Sequence, residues 1–129
     1  MRGLHLTADL RGCSTARAVM TEPAALRETC LSAVAAAGLT AVGELFHRFD
    51  AGPAAPGAAP AQSGITGVVL LAESHLAVHT WPELEAATLD VYVCNLGGRD
   101  HAARAESLFA SLLEAFAPAG VERHALVRG

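Results

Sequence analysis

Residues 64–94 read Gly-Ile-Thr-Gly-Val-Val-Leu-Leu-Ala-Glu-Ser-His-Leu-Ala-Val-His-Thr-Trp-Pro-Glu-Leu-Glu-Ala-Ala-Thr-Leu-Asp-Val-Tyr-Val-Cys. The stretch is rich in branched and aromatic residues, which predicts strands at 65–72, 75–81 and 87–94. Because successive side chains of a strand point to opposite faces, each strand has one apolar face and one face that carries polar groups. We therefore expect neighbouring strands whose polar residues share one face of a sheet.

The predicted polar face combines side chains from all three strands. A valine-rich sheet with helices on one side leaves its other face available for a site or for a partner subunit. The residues expected on that face are Thr66, Val68 and Leu70 of the first strand, His75, His79 and Trp81 of the second, and Thr88, Asp90, Tyr92 and Cys94 of the third.

Two helices are predicted outside this segment. Apolar residues three and four apart indicate a helix over 22–37, with Thr21 as its N-cap and Gly38 at its end. A second helix is expected to begin near Asp100 and to end before Gly120. Its apolar stripe consists of Ala105, Leu108, Leu112 and Phe116.

Further strands are predicted at 3–10, 39–49 and 121–127, and the proline- and glycine-rich segment 50–64 is predicted to be a mobile loop. The order β-α-β-β-β-β-α-β indicates an α+β fold. We expect a two-layer sandwich in which two helices cover one face of a mostly antiparallel sheet.

Composition limits the class of protein. The 129 residues suffice for one domain, and 52% of them are hydrophobic, which excludes extensive disorder. The net charge of −4 and the absence of a basic run argue against nucleic acid as a partner, and no apolar stretch is long enough to span a membrane. His5 and Asp9 lie where a signal peptide needs an apolar run, so no signal peptide is expected. The three cysteines, an odd number without metal-type spacing, fit a reducing cytoplasm, so a cytoplasmic location is expected.

Taken singly, the candidate residues are weak signals. His75 and His79 would lie about 13 Å apart on a strand, and no His-Glu-x-x-His motif is present, so no metal site is expected. A lone cysteine is usually a small buried residue; Cys30 is expected in the core, and Cys13 has no assigned role.

Taken together, residues 64–83 strongly resemble the self-processing prokaryotic S-adenosylmethionine decarboxylases. The run Glu-Ser-His-Leu-x-x-His-Thr-Trp-Pro-Glu matches at 73–83, and Cys94 follows Ser74 by 20 residues, as in that family. The resemblance extends to His5-Leu6 and to Phe46-His47-Arg48-Phe49. It implies one domain over 1–129 that cuts itself between Glu73 and Ser74 into a β chain (1–73) and an α chain (74–129).

The resemblance also implies a cofactor and roles for individual residues. Ser74 becomes a covalent pyruvoyl group, which forms a Schiff base with the substrate and accepts electrons as carbon dioxide leaves; neither pyridoxal phosphate nor a metal is expected. His79 removes the α-hydrogen of Ser74 during processing, Thr66 hydrogen-bonds the processing intermediate, and Cys94 returns a proton to the substrate. Because Ser74 and His79 are an odd number of residues apart, we expect a bend near Glu73-Ser74.

Departures from the family pattern concern the substrate. The loop after Phe49 is about eleven residues longer than the family's link, and Leu84-Glu85-Ala86 replaces an aromatic stretch. Family members that decarboxylate L-ornithine or L-arginine are therefore an alternative, with Asp50 and Glu85 available for a distal cation. The candidate substrate-binding residues are Phe49, Glu83, Asp50 and Glu85.

The primary expectation is a decarboxylase that converts S-adenosylmethionine to the aminopropyl donor for spermidine, made as a zymogen. A second alternative is an unprocessed, non-enzymatic subunit. Since the open face would carry both apolar residues and the site, we expect a homodimer of processed protomers with sites at or near the interface.

Overall fold

The computed structural model describes residues 2–50, 56–57, 63–94 and 101–129. The predicted cap at Asp100 and most of the predicted loop 50–64 lie outside these residues. The strands are β1 (Gly3–Arg11), β2 (Ala41–Phe49), β3 (Gly64–Leu71), β4 (Ser74–Trp81), β5 (Ala86–Cys94) and β6 (Gly120–Arg128). The helices are α1 (Ala18–Thr21), α2 (Pro23–Ala36) and α3 (His101–Phe116), and a 3-10 helix spans Pro82–Leu84.

The strands form a six-stranded sheet in the order β2-β3-β4-β5-β1-β6. Every neighbouring pair in it is antiparallel. The two long helices, α2 and α3, pack against one face of this sheet and against each other. The predicted two-layer α+β sandwich is confirmed, and each predicted strand is found within two residues of its expected bounds.

The core lies between the sheet and the helices. The inward residues of the central strands are fully buried, while their outward neighbours are half-buried or exposed, so the expected alternation is confirmed. The helices contribute large buried side chains to this core, among them Leu26 of α2 and Phe109 and Phe116 of α3. The face that the helices do not cover carries His75, His79 and Trp81 of β4 and Thr88, Asp90, Tyr92 and Cys94 of β5.

The start of the first long helix differs from the sequence prediction. Thr21 is the last residue of the short helix α1, and Glu22 is the N-cap of α2 without a side-chain hydrogen bond. Because Pro23 lacks an N–H group and occupies the first turn of α2, that turn has less need of a side-chain cap. The N-cap prediction for Thr21 was wrong. The end of the helix agrees, since Gly38 follows it with φ of +76°.

Close packing of aromatic rings on glycine fixes β2 against β3. The Phe49 ring covers Gly64 on the open face, and the Phe46 ring covers Gly67 on the helix side. A β-carbon at either glycine would overlap the ring above it, so only glycine allows this approach.

Thr80 is the one buried polar side chain among the described residues. Its hydroxyl accepts a hydrogen bond from the Ile65 backbone N–H at 3.0 Å and donates one to the Met20 carbonyl oxygen at 2.9 Å. One hydroxyl thus joins β4 to β3 and to helix α1.

We predict that Thr80→Val destabilises the fold by about 1–3 kcal/mol, because valine has the same shape but leaves a buried N–H and a buried carbonyl unpaired. Urea denaturation measures the free energy of unfolding. Thr88→Val, on the open face of β5, is the matched control and should change this free energy by less than about 0.5 kcal/mol. Equal effects of the two substitutions would show that the Thr80 hydroxyl has no such role.

Candidate active site

The site begins at the turn between β3 and β4. Leu71 pairs with Ser74, so only Ala72 and Glu73 form the connection. Glu73 has φ of +62°, a left-handed backbone conformation that is unfavourable for a residue with a side chain. The expected bend is therefore present, and the Glu73–Ser74 peptide bond lies directly after a strained residue.

Ser74 and Cys94 lie together at this end of the sheet. The Cys94 backbone N–H donates a hydrogen bond to Ser74 Oγ at 3.2 Å. The Cys94 thiol in turn donates to the Tyr92 hydroxyl at 3.3 Å. The serine and the cysteine are 20 residues apart in sequence, and the β4–β5 hairpin brings them into contact.

Thr66 and His79 form a second pair on the open face. They are directly opposite each other in the β3–β4 register, and Thr66 Oγ1 lies 3.2 Å from His79 Nδ1. The His79 ring also stacks on Trp81, with the ring centroids 5.8 Å apart. Strand pairing thus places a hydroxyl beside an imidazole, which is an arrangement suited to proton transfer.

The two pairs are not together within one chain. Ser74 begins β4 and His79 lies five residues further along it, which separates them by about 16 Å. Alternation also places Ser74 on the helix side, where it lines a cavity of about 150 Å3 with Leu39, Thr40 and Arg104. The bend precedes Ser74 and does not bring it to His79.

The candidate substrate-binding residues lie at the His79 end of the sheet. Phe49 covers Gly64 there and is half-buried. Glu83 lies in the 3-10 helix after β4, and Glu85 follows it with φ of +50°. Both glutamates and Asp50 are exposed. The structure therefore groups these residues near Thr66 and His79, far from Ser74.

The surroundings of Cys94 contain residues to which the sequence assigned no role. Tyr92 contacts the thiol, and the rings of His5 and His75 lie 6.0 Å and 5.6 Å from the Tyr92 ring. The available signal was the spacing of Tyr92 and Cys94, since residues two apart on a strand share a face.

No three His, Cys, Asp or Glu side chains in the described part of the chain are arranged to hold a metal ion. Among the helices that the structure describes, none has the length and apolar character needed to cross a membrane.

Comparison with known proteins gives consistent results. The family model for S-adenosylmethionine decarboxylase matches residues 4–129. An S-adenosylmethionine decarboxylase proenzyme of Archaeoglobus fulgidus is 31% identical over 127 residues, which cover 98% of this chain and 97% of that protein. The crystal structure of the adenosylmethionine decarboxylase from Aquifex aeolicus superposes with a TM-score of 0.79 at 31% identity, covering 98% of this chain and 90% of that one.

Other matches are more local. A proenzyme of Aquifex aeolicus is 41% identical over 92 residues, which cover 71% of this chain and 58% of that protein. A proenzyme of Prochlorococcus marinus is 38% identical over 94 residues, and the match spans 65% of its length. The chain thus matches less than two thirds of the length of these two curated relatives.

The fold is that of a known decarboxylase. The chain belongs to the S-adenosylmethionine decarboxylase family.

The three cysteines differ in environment. Cys13 and Cys30 are fully buried, whereas Cys94 is partly exposed. Burial raises the pKa of the Cys30 thiol to about 12. Burial, followed by the nearby Glu85 carboxylate, also raises the pKa of Cys13. Both effects suppress the reactive thiolate of these two residues.

We predict that iodoacetamide at pH 8 labels Cys94 about 100-fold faster than Cys30, because the buried thiol is both inaccessible and protonated. Peptide mass spectrometry measures the three rates separately. Labelling in concentrated guanidinium is the control and should modify all three cysteines. Comparable rates for Cys94 and Cys30 in the folded protein would contradict this account of their environments.

Proposed function

We propose that this chain is a self-processing, pyruvoyl-dependent decarboxylase that acts on S-adenosylmethionine and so supplies the aminopropyl donor for spermidine. The observation that carries the proposal is the position of Ser74 in a chain of this family. Ser74 directly follows a residue with left-handed backbone, and its hydroxyl is held by the Cys94 N–H at 3.2 Å. The named relatives favour S-adenosylmethionine over L-ornithine or L-arginine as substrate.

The chain's own residues fit the formation of a pyruvoyl group. Ser74 Oγ attacks the carbonyl carbon of Glu73, and the peptide bond becomes an ester as the Ser74 nitrogen is released. A base then removes the Ser74 α-hydrogen, and residues 1–73 leave with the ester oxygen as a C-terminal carboxylate. The dehydroalanine that remains takes up water and loses ammonia to give the ketone. Strain at Glu73 favours the first step because cleavage releases it.

Once formed, the pyruvoyl ketone would supply an electron sink for the departing carboxylate. Cys94 then holds the proton that the substrate α-carbon needs. In the uncut chain the Cys94 backbone N–H donates a hydrogen bond to Ser74 Oγ. The Cys94 side chain is therefore close to the residue that becomes the pyruvoyl group. A thiol suits this role because it is largely protonated at neutral pH and still acidic enough to transfer its proton.

The base for processing comes, in our proposal, from a second copy of the chain. His79 of the same chain is about 16 Å along β4 from Ser74, too far for proton transfer. The Ser74 side chain points to the helix side, and the open face lies on the other side of the strand. We therefore assign the base to His79 of a second copy that packs on this open face.

A two-fold arrangement of the open faces meets this requirement. The Ser74–Cys94 pair and the Thr66–His79 pair lie at opposite ends of the same sheet. If two copies pack face to face with their strands reversed, each pair of one copy lies over the other pair of its partner. Exposed apolar side chains on this face would be buried by the contact; they are Leu45, Leu70 and Leu126.

The same arrangement would place the candidate substrate-binding residues of one copy close to Ser74 of the other. Phe49 and Trp81 lie at the His79 end, where they offer aromatic surface to an adenine ring. Asp50, Glu83 and Glu85 would surround the substrate from the same end. We propose these substrate-binding roles together with the cytoplasmic location that the sequence predicts.

We predict that the purified chain appears as two fragments, 1–73 and 74–129, and releases carbon dioxide from S-adenosylmethionine in preference to ornithine or arginine. Ser74→Ala should remain uncut at 13.2 kDa and inactive, because it lacks the nucleophile. Cys94→Ala should still cleave but lose most turnover. Normal cleavage of Ser74→Ala would exclude a pyruvoyl group, and faster release from ornithine or arginine would reassign the substrate.

Coexpression of two inactive variants tests the shared site. A mixed dimer of Ser74→Ala and His79→Ala chains has one site that combines an intact Ser74 with the partner's intact His79. We predict that the His79→Ala chain is cut in this mixture, although neither variant is cut alone. Mass spectrometry identifies the fragments.

The matched control replaces the first partner by a chain that carries both Ser74→Ala and His79→Ala. That mixture contains no intact His79 and should yield no fragments. If tagged mixed dimers of the two single variants also remain uncut, the base does not come from the second copy.

A further inference from the structure

We propose that Tyr92 is a positioning residue for Cys94, a role that rests on the proposed function of Cys94 as proton donor. The Tyr92 hydroxyl accepts the S–H hydrogen before the proton is transferred and donates its own hydrogen to the thiolate afterwards. It thereby holds the sulfur in one place through both states of the reaction.

The first support is the contact itself. Tyr92 and Cys94 lie two residues apart on β5 and on the same face, and the Cys94 thiol donates to Tyr92 Oη at 3.3 Å. Cys94 is the last residue of β5 and is partly exposed. The hydrogen bond to Tyr92 gives the sulfur a fixed direction from a neighbour on its own strand.

The second support is that neighbouring strands fix the phenol. On β1, Gly3 leaves the space that the ring occupies; a β-carbon there would be 2.7 Å from both Cε2 and Oη of Tyr92. The His75 ring of β4 lies 5.6 Å from the Tyr92 ring, and the His5 ring of β1 lies 6.0 Å from it. The Arg128 guanidinium of β6 lies 5.3 Å from the ring centroid.

The chemistry of the hydroxyl suits both states of the thiol. A phenol can act as an acceptor and as a donor, whereas phenylalanine can do neither. The hydrogen bond with Cys94, aided by partial desolvation and by the thiolate charge, raises the pKa of Tyr92, while Arg128 opposes the shift. The phenol therefore keeps its proton and can donate it in a hydrogen bond when the sulfur is negative.

Other titratable groups near the phenol are few among the described residues. The His5 and His75 rings pack against it, and Arg128 lies over it. Asp90 lies beside His5, with its Oδ1 3.4 Å from His5 Nε2 but without hydrogen-bond geometry. The Tyr92 hydroxyl is in direct hydrogen-bond contact with the Cys94 thiol.

Kinetics of Tyr92→Phe test the effect on turnover. The variant keeps the ring and should cleave itself normally, keep its KM, and lose about tenfold in kcat, equivalent to about 1.4 kcal/mol. Gly3→Ala keeps the hydroxyl but displaces it, and should also lower kcat. Thr29→Val, which removes a hydroxyl from α2, is the control and should leave kcat unchanged. A wild-type kcat for Tyr92→Phe would overturn the proposal.

A titration gives a readout that does not depend on activity. Tyr92 is the only tyrosine of the chain, so absorbance at 295 nm reports its ionisation alone. We expect a phenol pKa above the ordinary value of about 10 that returns toward it in Cys94→Ala. A pKa that does not respond to Cys94→Ala would refute the coupling. If the wild-type protein released no carbon dioxide, the proposed function would fail, and this titration would still decide the coupling of Tyr92 to Cys94.

Discussion

The register of the β3–β4 hairpin is the constraint on which the rest of the site depends. A connection of two residues forces Leu71 to pair with Ser74, and the same register places Thr66 opposite His79. A slip of one residue would move every outward side chain to the helix side and bury polar groups in the core. The apolar residues that alternate along β3 and β4 prevent this slip, so the packing of the core also fixes the positions of the reactive groups.

The same register separates the candidate reactive groups into two pairs. Ser74 and Cys94 lie where β4 begins and β5 ends, and Thr66 and His79 lie toward the other end of the sheet. Strands are stiff and extended, so no side-chain rotation spans the distance between the pairs. The proposed face-to-face dimer would bring the pairs together without any change in the fold, because a two-fold axis would place opposite ends of two identical faces over each other.

The two ends of the open face differ in character. The Cys94 end is packed, with Tyr92 held between the rings of His5 and His75 and above a glycine that leaves it room. The His79 end is more open, since Thr66 is exposed and the nearby acidic residues point to solvent. A proton donor gains from a fixed direction, whereas a surface that receives a substrate or a partner must be accessible in the free chain.

The sequence by itself determined the fold class, the strand faces and the family, and it predicted the reactive residues. Alternation along 65–94 is strong because one face is buried by the helices. The resemblance to the family rests on the run at 73–83 and on Cys94, 20 residues after Ser74. The sequence pattern did not predict helix α1 or the true N-cap of α2, because short helices and caps depend on local packing and on Pro23 rather than on periodicity. Only the tertiary structure decided which residues meet. Ser74 lies beside Cys94 rather than His79, and Tyr92 lies beside the thiol, because hydrogen-bond register between strands sets these contacts and a linear sequence does not contain that register.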